Sequence, residues 1–161
     1  MKIPHIDIEI SRKEYNALPL IEWRKDYFNE ENGGYVATSW KRIEEAGKSS
    51  HERRKYDREH LICIHYARNG HRIKHLPDRK LNGEGTYDVF FDGMEADLKK
   101  TRSTNNIIKY AKRATKKQGA QIILFEFELW NNKFRDLVDE LIRKGYHGHY
   151  FITGEKATHQ F

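Results

Sequence analysis

Apolar residues recur along this chain with two different periods, and the switches between them mark out the secondary structure. The stretch "SSHERRKYDREHLICIHYARNG" places Tyr56, Glu59, Ile62, Cys63 and Tyr66 at helical spacing. Ser49 with Glu52 three residues on is a capping-box signature, and Gly70 is a natural terminator. "HRIKHLP" then predicts a strand stopped by Pro77, "DRKLNGEG" a loop, and "TYDVFFD" a strand of period two. Gly93 turns the chain into a further strand, "MEADLKK". Thr101, Ser103 or Thr104 can cap a second helix through "NNIIKYAKRATKKQG", with Ile107, Ala111, Ala114 and Gln118 on one face and Gly119 at its end. The apolar run "AQIILFEFE" predicts a strand buried on both sides. "NNKFRDLVDELIRKG" is a third helix with Phe134, Leu137, Val138 and Leu141 on one stripe, and "YHGHYFI" is a closing strand.

From Glu52 the order is helix, strand, strand, strand, helix, strand, helix, strand. Alternation of this kind predicts an α/β protein, with a mixed central sheet and helices on its faces. The first 50 residues are less regular. "HIDIEIS" alternates briefly, Trp23, Tyr27 and Phe28 suggest a short helix, "NEENGGY" marks a turn, and "SWKRIEEAG" supports a helical turn or two. Residues 1–50 are therefore expected to form an N-terminal arm on a domain spanning 51–161.

Composition narrows the function classes. Of 161 residues, 37% are hydrophobic and 34% charged, enough for one modest core. No apolar run approaches the roughly 20 residues that span a bilayer, and the first residues lack a signal peptide's apolar stretch, so a cytoplasmic protein without a membrane partner is expected. The lone Cys63 reads as a small core residue. Net charge is +6, and its distribution carries more information. Between Leu98 and Gln118 lie Lys99, Lys100, Arg102, Lys109, Lys112, Arg113, Lys116 and Lys117, with no Asp or Glu among them. Such a run is either a solvated helix face or the footprint of a polyanion, and nucleic acid is the expected partner.

Strand alternation sharpens the chemistry. Asp97 and Lys99 must point to the same side of their strand, and a hairpin with the preceding strand can bring Asp88 beside them. Adjacent carboxylates repel, and a divalent cation relieves the repulsion by neutralising both. Hard oxygen ligands suit Mg²⁺ or Mn²⁺ ahead of Zn²⁺. Such an ion can activate water for phosphodiester hydrolysis, with Lys99 orienting that water. Glu59 is a further candidate, because a carboxylate on an apolar stripe needs a partner. Gln118, on the apolar face of the second helix, is either another catalytic-side group or part of the helix end.

Asp88 followed by Asp97-Leu98-Lys99, on the second and third strands after a helix, resembles the PD-(D/E)xK nuclease superfamily. The resemblance covers about residues 51–128 and implies a restriction-endonuclease-like core, αβββαβ, here followed by an extra helix and strand. It implies metal ligation by Asp88, Asp97 and the main-chain carbonyl of Leu98, with Lys99 supporting the water and Glu59 as an added carboxylate from the first helix. Tyr87 stands where the motif has proline, a position that varies within the family. The stretch from "NGHRIKHLP" through "YDVFFDGMEADLKKTRSTNNIIKYAKRATKKQGAQIILFEFE" further resembles the C-terminal nuclease toxin of contact-dependent growth inhibition proteins and related phage and mobile-element modules. That resemblance implies tRNA, ahead of DNA, as substrate. It also implies a cognate immunity protein and delivery as part of a larger toxin or phage protein. Lys100, Arg102, Ser103, Thr104 and Asn105, just past the active strand, form the expected backbone-binding patch, extended by Lys109, Lys112, Arg113 and Lys116.

Two alternatives stay open. The His pairs His147/His149 and His71/His75 lack the spacing of a zinc finger. A metal-independent ribonuclease of barnase-like type would instead use His149, Tyr150 and Thr153. The third reading is a nucleic-acid-binding module without turnover.

Overall fold

The computed structural model describes residues 8–78 and 86–161, so the loop expected at "DRKLNGEG" falls largely outside the described residues. These residues form five α-helices and eight β-strands in a mixed α/β architecture, as the alternation of periods predicts. They divide into two compact units, one built from residues 8–78 with 88–93, the other from residues 86–87 with 94–161.

The first unit contains α1 (Ile8–Ala17), β1 (Trp23–Phe28), β2 (Tyr35–Ser39), α2 (Trp40–Ala46), α3 (Ser50–Arg68), β3 (Arg72–His75) and β4 (Val89–Phe91). Residues 8–50, expected as an arm, thus supply four of its elements. The alternation at "HIDIEIS" does not make a strand from Ile8 onward, because those residues open α1. Trp23–Phe28 is a strand rather than a short helix. Its aromatic residues suit a pleated, half-buried surface, and the turn at Asn29–Gly34 returns the chain so that β1 and β2 pair antiparallel. That turn also closes the end of α3: the Asn32 side chain donates to the Arg68 carbonyl at 2.9 Å. A Cβ at Gly34 would lie 1.8 Å from the Ala67 carbonyl oxygen, so only glycine lets the strand pass this helix end.

α3 begins as its capping box predicts, with the Ser49 side chain accepting from the Glu52 amide at 3.1 Å. Tyr56, Glu59, Ile62, Cys63 and Tyr66 are all buried. β2 pairs parallel with β3, and β3 antiparallel with β4. β4 is shorter than the period-two pattern suggests, and Asp88 lies in the bend just before it. At the other end Asp92 adopts φ 49° and Gly93 φ 84°, the left-handed pair that a tight two-residue reversal requires. Asp92 is fixed there by the Arg72 amide, which donates at 2.8 Å, and by His71 Nδ1 at 2.8 Å.

The second unit contains β5 (Met94–Thr101), α4 (Ile107–Lys116), β6 (Ile122–Phe127), α5 (Asn132–Arg143), β7 (Gly148–Ile152) and β8 (His159–Gln160). β5, β6 and β7 run parallel with β6 between them, and β8 returns antiparallel on β7. Every residue of β6 is buried, as expected of a strand covered on both faces. One face of β6 (Ile123, Phe125 and Phe127) meets Ile107, Ala111 and Ala114 of α4 and Phe134, Leu137, Val138 and Leu141 of α5. These are the stripes read from the sequence, and each large side chain so buried contributes about 1.5–3 kcal/mol. The Asn131 side chain caps α5 by accepting from the Phe134 amide at 3.2 Å. The α4 cap differs from expectation. Its N-cap is Asn106, at φ 64°, with no side-chain capping bond among the described residues. The Thr101 and Ser103 hydroxyls are spent earlier, on the Thr101–Asn105 turn: Ser103 N–H donates to Thr101 Oγ1 at 3.1 Å and Asn105 N–H to Ser103 Oγ at 3.0 Å.

Candidate functional site

The candidate residues fall in both units, and the two sets are described separately. In the second unit, β5 carries Asp97, Leu98 and Lys99. The parallel register sets Asp97 beside Ile123 and Lys99 beside Phe125. Directly paired residues of neighbouring strands point the same way, so Asp97 and Lys99 share the face that α4 covers. Asp97 is 1% exposed, and Lys99, roughly 6–7 Å further along the strand, is half-buried. On this face Ala111 and Ala114, being small, let α4 pack close to β6.

The Lys99 ammonium stands 4.9 Å above the centre of the Tyr110 ring. The Tyr110 hydroxyl donates to the Leu98 carbonyl at 3.0 Å. Lys99 and Tyr110 also line a cavity of 360 Å³, together with Thr101, Asn105, Asn106, Ile107, Lys109 and Arg113. Three cationic side chains and no acidic one line it, which favours an anion. On the other side of the Thr101–Asn105 turn, a second cavity of 260 Å³ is lined by Arg102, Ser103, Thr104, Asn105 and Lys133, among others. Asn105 lines both. The basic run is therefore split. Lys109 and Arg113 line the first cavity and Arg102 the second, whereas exposed Lys112 and Lys116 line neither. Lys100 is drawn to the buried Glu126 at 3.5 Å, so part of its charge is already answered. Gln118 lies past the end of α4, half-buried, with its side-chain oxygen buried and without a hydrogen-bond partner among the described residues.

Sequence reasoning did not single out Tyr110, Asn106 or Lys133. Tyr110 follows Lys109 in the helical run, and its distance from Leu98 in sequence conceals its contact with β5.

In the first unit, Asp88 is half-buried, and its carbonyl accepts from the Leu76 amide at 3.0 Å. Glu59 projects from α3 into a buried polar cluster. One of its oxygens accepts from Arg42 at 3.1 Å and meets His75 Nε2 at 3.1 Å. Burial raises the Glu59 carboxyl, but His75 and Arg42 outweigh it and hold the group below its ordinary value. The Tyr56 ring stacks on His75, with ring centres 5.4 Å apart, and its hydroxyl meets Arg24 at 2.6 Å. Burial lowers the nearby His60 imidazole. Cys63 is fully buried and its thiol is pushed up by burial, which fits the inert core residue expected.

The residues of the metal-independent alternative are engaged structurally. Thr153 donates to Glu126 at 2.6 Å, and Tyr150 stacks between Trp130 and His159. His147 precedes β7 while His149 lies within it, and His71 and His75 contact Asp92 and Glu59 respectively. Among the described residues, no group of three or more His, Cys, Asp or Glu side chains is placed to hold a metal ion. No described helix is long and apolar enough to cross a membrane.

No family model matches this sequence, and no curated protein matches it. The fold is similar to that of a chain in the CdiA-CT/CdiI toxin and immunity complex from Burkholderia pseudomallei, with a TM-score of 0.51 over 71% of this chain and 89% of that one, at 13% identity. The mixed α/β fold is thus one also found in a toxin–immunity assembly.

Proposed function

We propose that this protein is a toxin-type nuclease that hydrolyses phosphodiester bonds with Mg²⁺ or Mn²⁺, acting on RNA, tRNA in particular, ahead of DNA. The observation that carries the reading is the placement, on one face of β5, of a buried carboxylate at Asp97 and of Lys99, which lines a cavity whose charged lining residues are all cations. A fold shared with a chain of a toxin–immunity complex supports it. So do the Asp88 and Asp97-Leu98-Lys99 pattern and the basic run that follows.

The donor chemistry of this region suits a hard cation. Asp97 offers a carboxylate withdrawn from solvent, and beside it stands the Leu98 carbonyl, an oxygen donor that accepts from Tyr110. Asp97 and the Leu98 carbonyl would hold the ion, and Asp88 enters the proposal through the sequence pattern alone. When bound, the ion lowers the pKa of water and neutralises charge developing on the phosphate. Lys99 orients the attacking water and balances the pentavalent phosphate. Lys109, Arg113 and Asn105 seat the phosphates on either side of the scissile bond, and Arg102 with Ser103 and Thr104 extends that track. Glu59 enters the proposal through the resemblance alone, because its carboxylate already serves Arg42 and His75.

The biological setting that belongs to this reading is a domain delivered within a larger toxin or phage protein, acting in a target cytoplasm and neutralised in its producer by an immunity protein. Incubation with total tRNA and with plasmid DNA, each with Mg²⁺, Mn²⁺ or EDTA, tests the enzymatic claim. Asp97→Asn should lower cleavage by about 100- to 1000-fold, the scale of losing electrostatic stabilisation at a reacting centre. Undiminished cleavage by a correctly folded Asp97→Asn protein overturns the assignment.

A further inference from the structure

We propose that Tyr110 is a positioning residue of the nuclease site, its ring seating the Lys99 ammonium while its hydroxyl pins the Leu98 carbonyl. The inference rests on the nuclease reading, and the supporting contacts lie within a single unit. One hydrogen bond and one cation–π contact from a single side chain reach two consecutive residues of β5. The hydroxyl donates to Leu98 O at 3.0 Å, and the ring centre lies 4.9 Å from Lys99 Nζ. A lysine side chain carries several freely rotating bonds, and an aromatic face within about 6 Å attracts its charge and narrows that freedom. Tyr110 is itself held, because α4 is fixed by Ile107, Ala111 and Ala114 in the core and the Tyr110 ring meets Phe125 edge-on at 6.5 Å. The rigid helix face therefore sets where the ammonium enters the 360 Å³ cavity and which way the neighbouring carbonyl points.

Tyr110 needs neither to touch substrate nor to exchange a proton for this role. Its effect should fall on kcat, through misplaced groups, and leave KM to the cavity's other cations. Leucine at this position removes both contacts. Phenylalanine keeps the ring and the packing and removes only the hydroxyl.

The experiment combines steady-state cleavage of the preferred nucleic acid with NMR of the full chain selectively ¹³C-labelled at lysine, the Lys99 side-chain signal being assigned by its absence in Lys99→Arg. In wild type that signal should be shifted upfield by the ring. Tyr110→Phe should keep the shift and lower kcat about five- to tenfold, the scale of one hydrogen bond. Tyr110→Leu should lose the shift and lower kcat about 50-fold, with KM within about twofold of wild type. Adding Tyr110→Leu to Lys99→Met should cost less than it does alone, since the ring's share of the effect acts through Lys99. Wild-type kcat in both Tyr110 variants, or a loss confined to KM, overturns the positioning role. Absence of wild-type cleavage with every metal and substrate defeats the nuclease reading and this role with it. In that event the lysine signal separately reports whether the ring holds Lys99 at all.

Discussion

At the scale of single residues, the buried carboxylate of α3 is explained by its neighbours. Glu59 is answered by Arg42 and His75, and that arrangement explains its burial on a helical stripe without any ligand. Removing one partner of a buried ion pair leaves an uncompensated charge, so Arg42→Met should destabilise the fold by about 3–5 kcal/mol. Chemical denaturation measures this, and a loss under about 1 kcal/mol contradicts the reading. The sequence revealed that Glu59 needed a partner but could not name it. Arg42 comes from a helix 17 positions earlier, in a region read only as an arm. Asp97 and Lys99 were legible because strand alternation alone fixes two residues, i and i+2, on one face. Tyr110 was not, since a helix-to-strand contact across 12 positions leaves no period in the sequence.

At the scale of elements, long periodic segments announced themselves and short ones did not. The stripes of α3 and α5 and the apolar run of β6 gave the buried residues in advance, because burial selects for a regular spacing. β1 failed that test: each of its residues is partly exposed, so no alternation marked it, and its aromatics suggested a helix. The two-residue β8 was too short to register. For α4 the basic run was visible, but its division was not. Only Lys109 and Arg113 of its cations line the cavity with Lys99. If these two meet phosphates, Lys109→Ala and Arg113→Ala should each reduce the slope of log affinity against log salt by about 1. Lys116→Ala, lining neither cavity, should change the slope less. Filter binding at graded salt decides this, and equal slopes for all three variants contradict the division.

At the scale of the whole molecule, the order of elements from α3 to β7 was readable, and with it the α/β class. The partition into units was not, because it follows spatial contacts that link Asp88–Gly93 to the residues before Asp78. A net charge of +6 concentrated after β5 gives the chain the electrostatics of a polyanion binder, but charge alone fits binding as well as catalysis. The measurement that separates them most directly is end-group analysis of RNA products formed with Mg²⁺ and with EDTA, for wild type and Asp97→Asn. The account predicts 5′-phosphate ends from wild type with Mg²⁺, and no cleavage either with EDTA or by the variant. Products bearing 2′,3′-cyclic phosphate that persist in EDTA, or binding without any product, would contradict it.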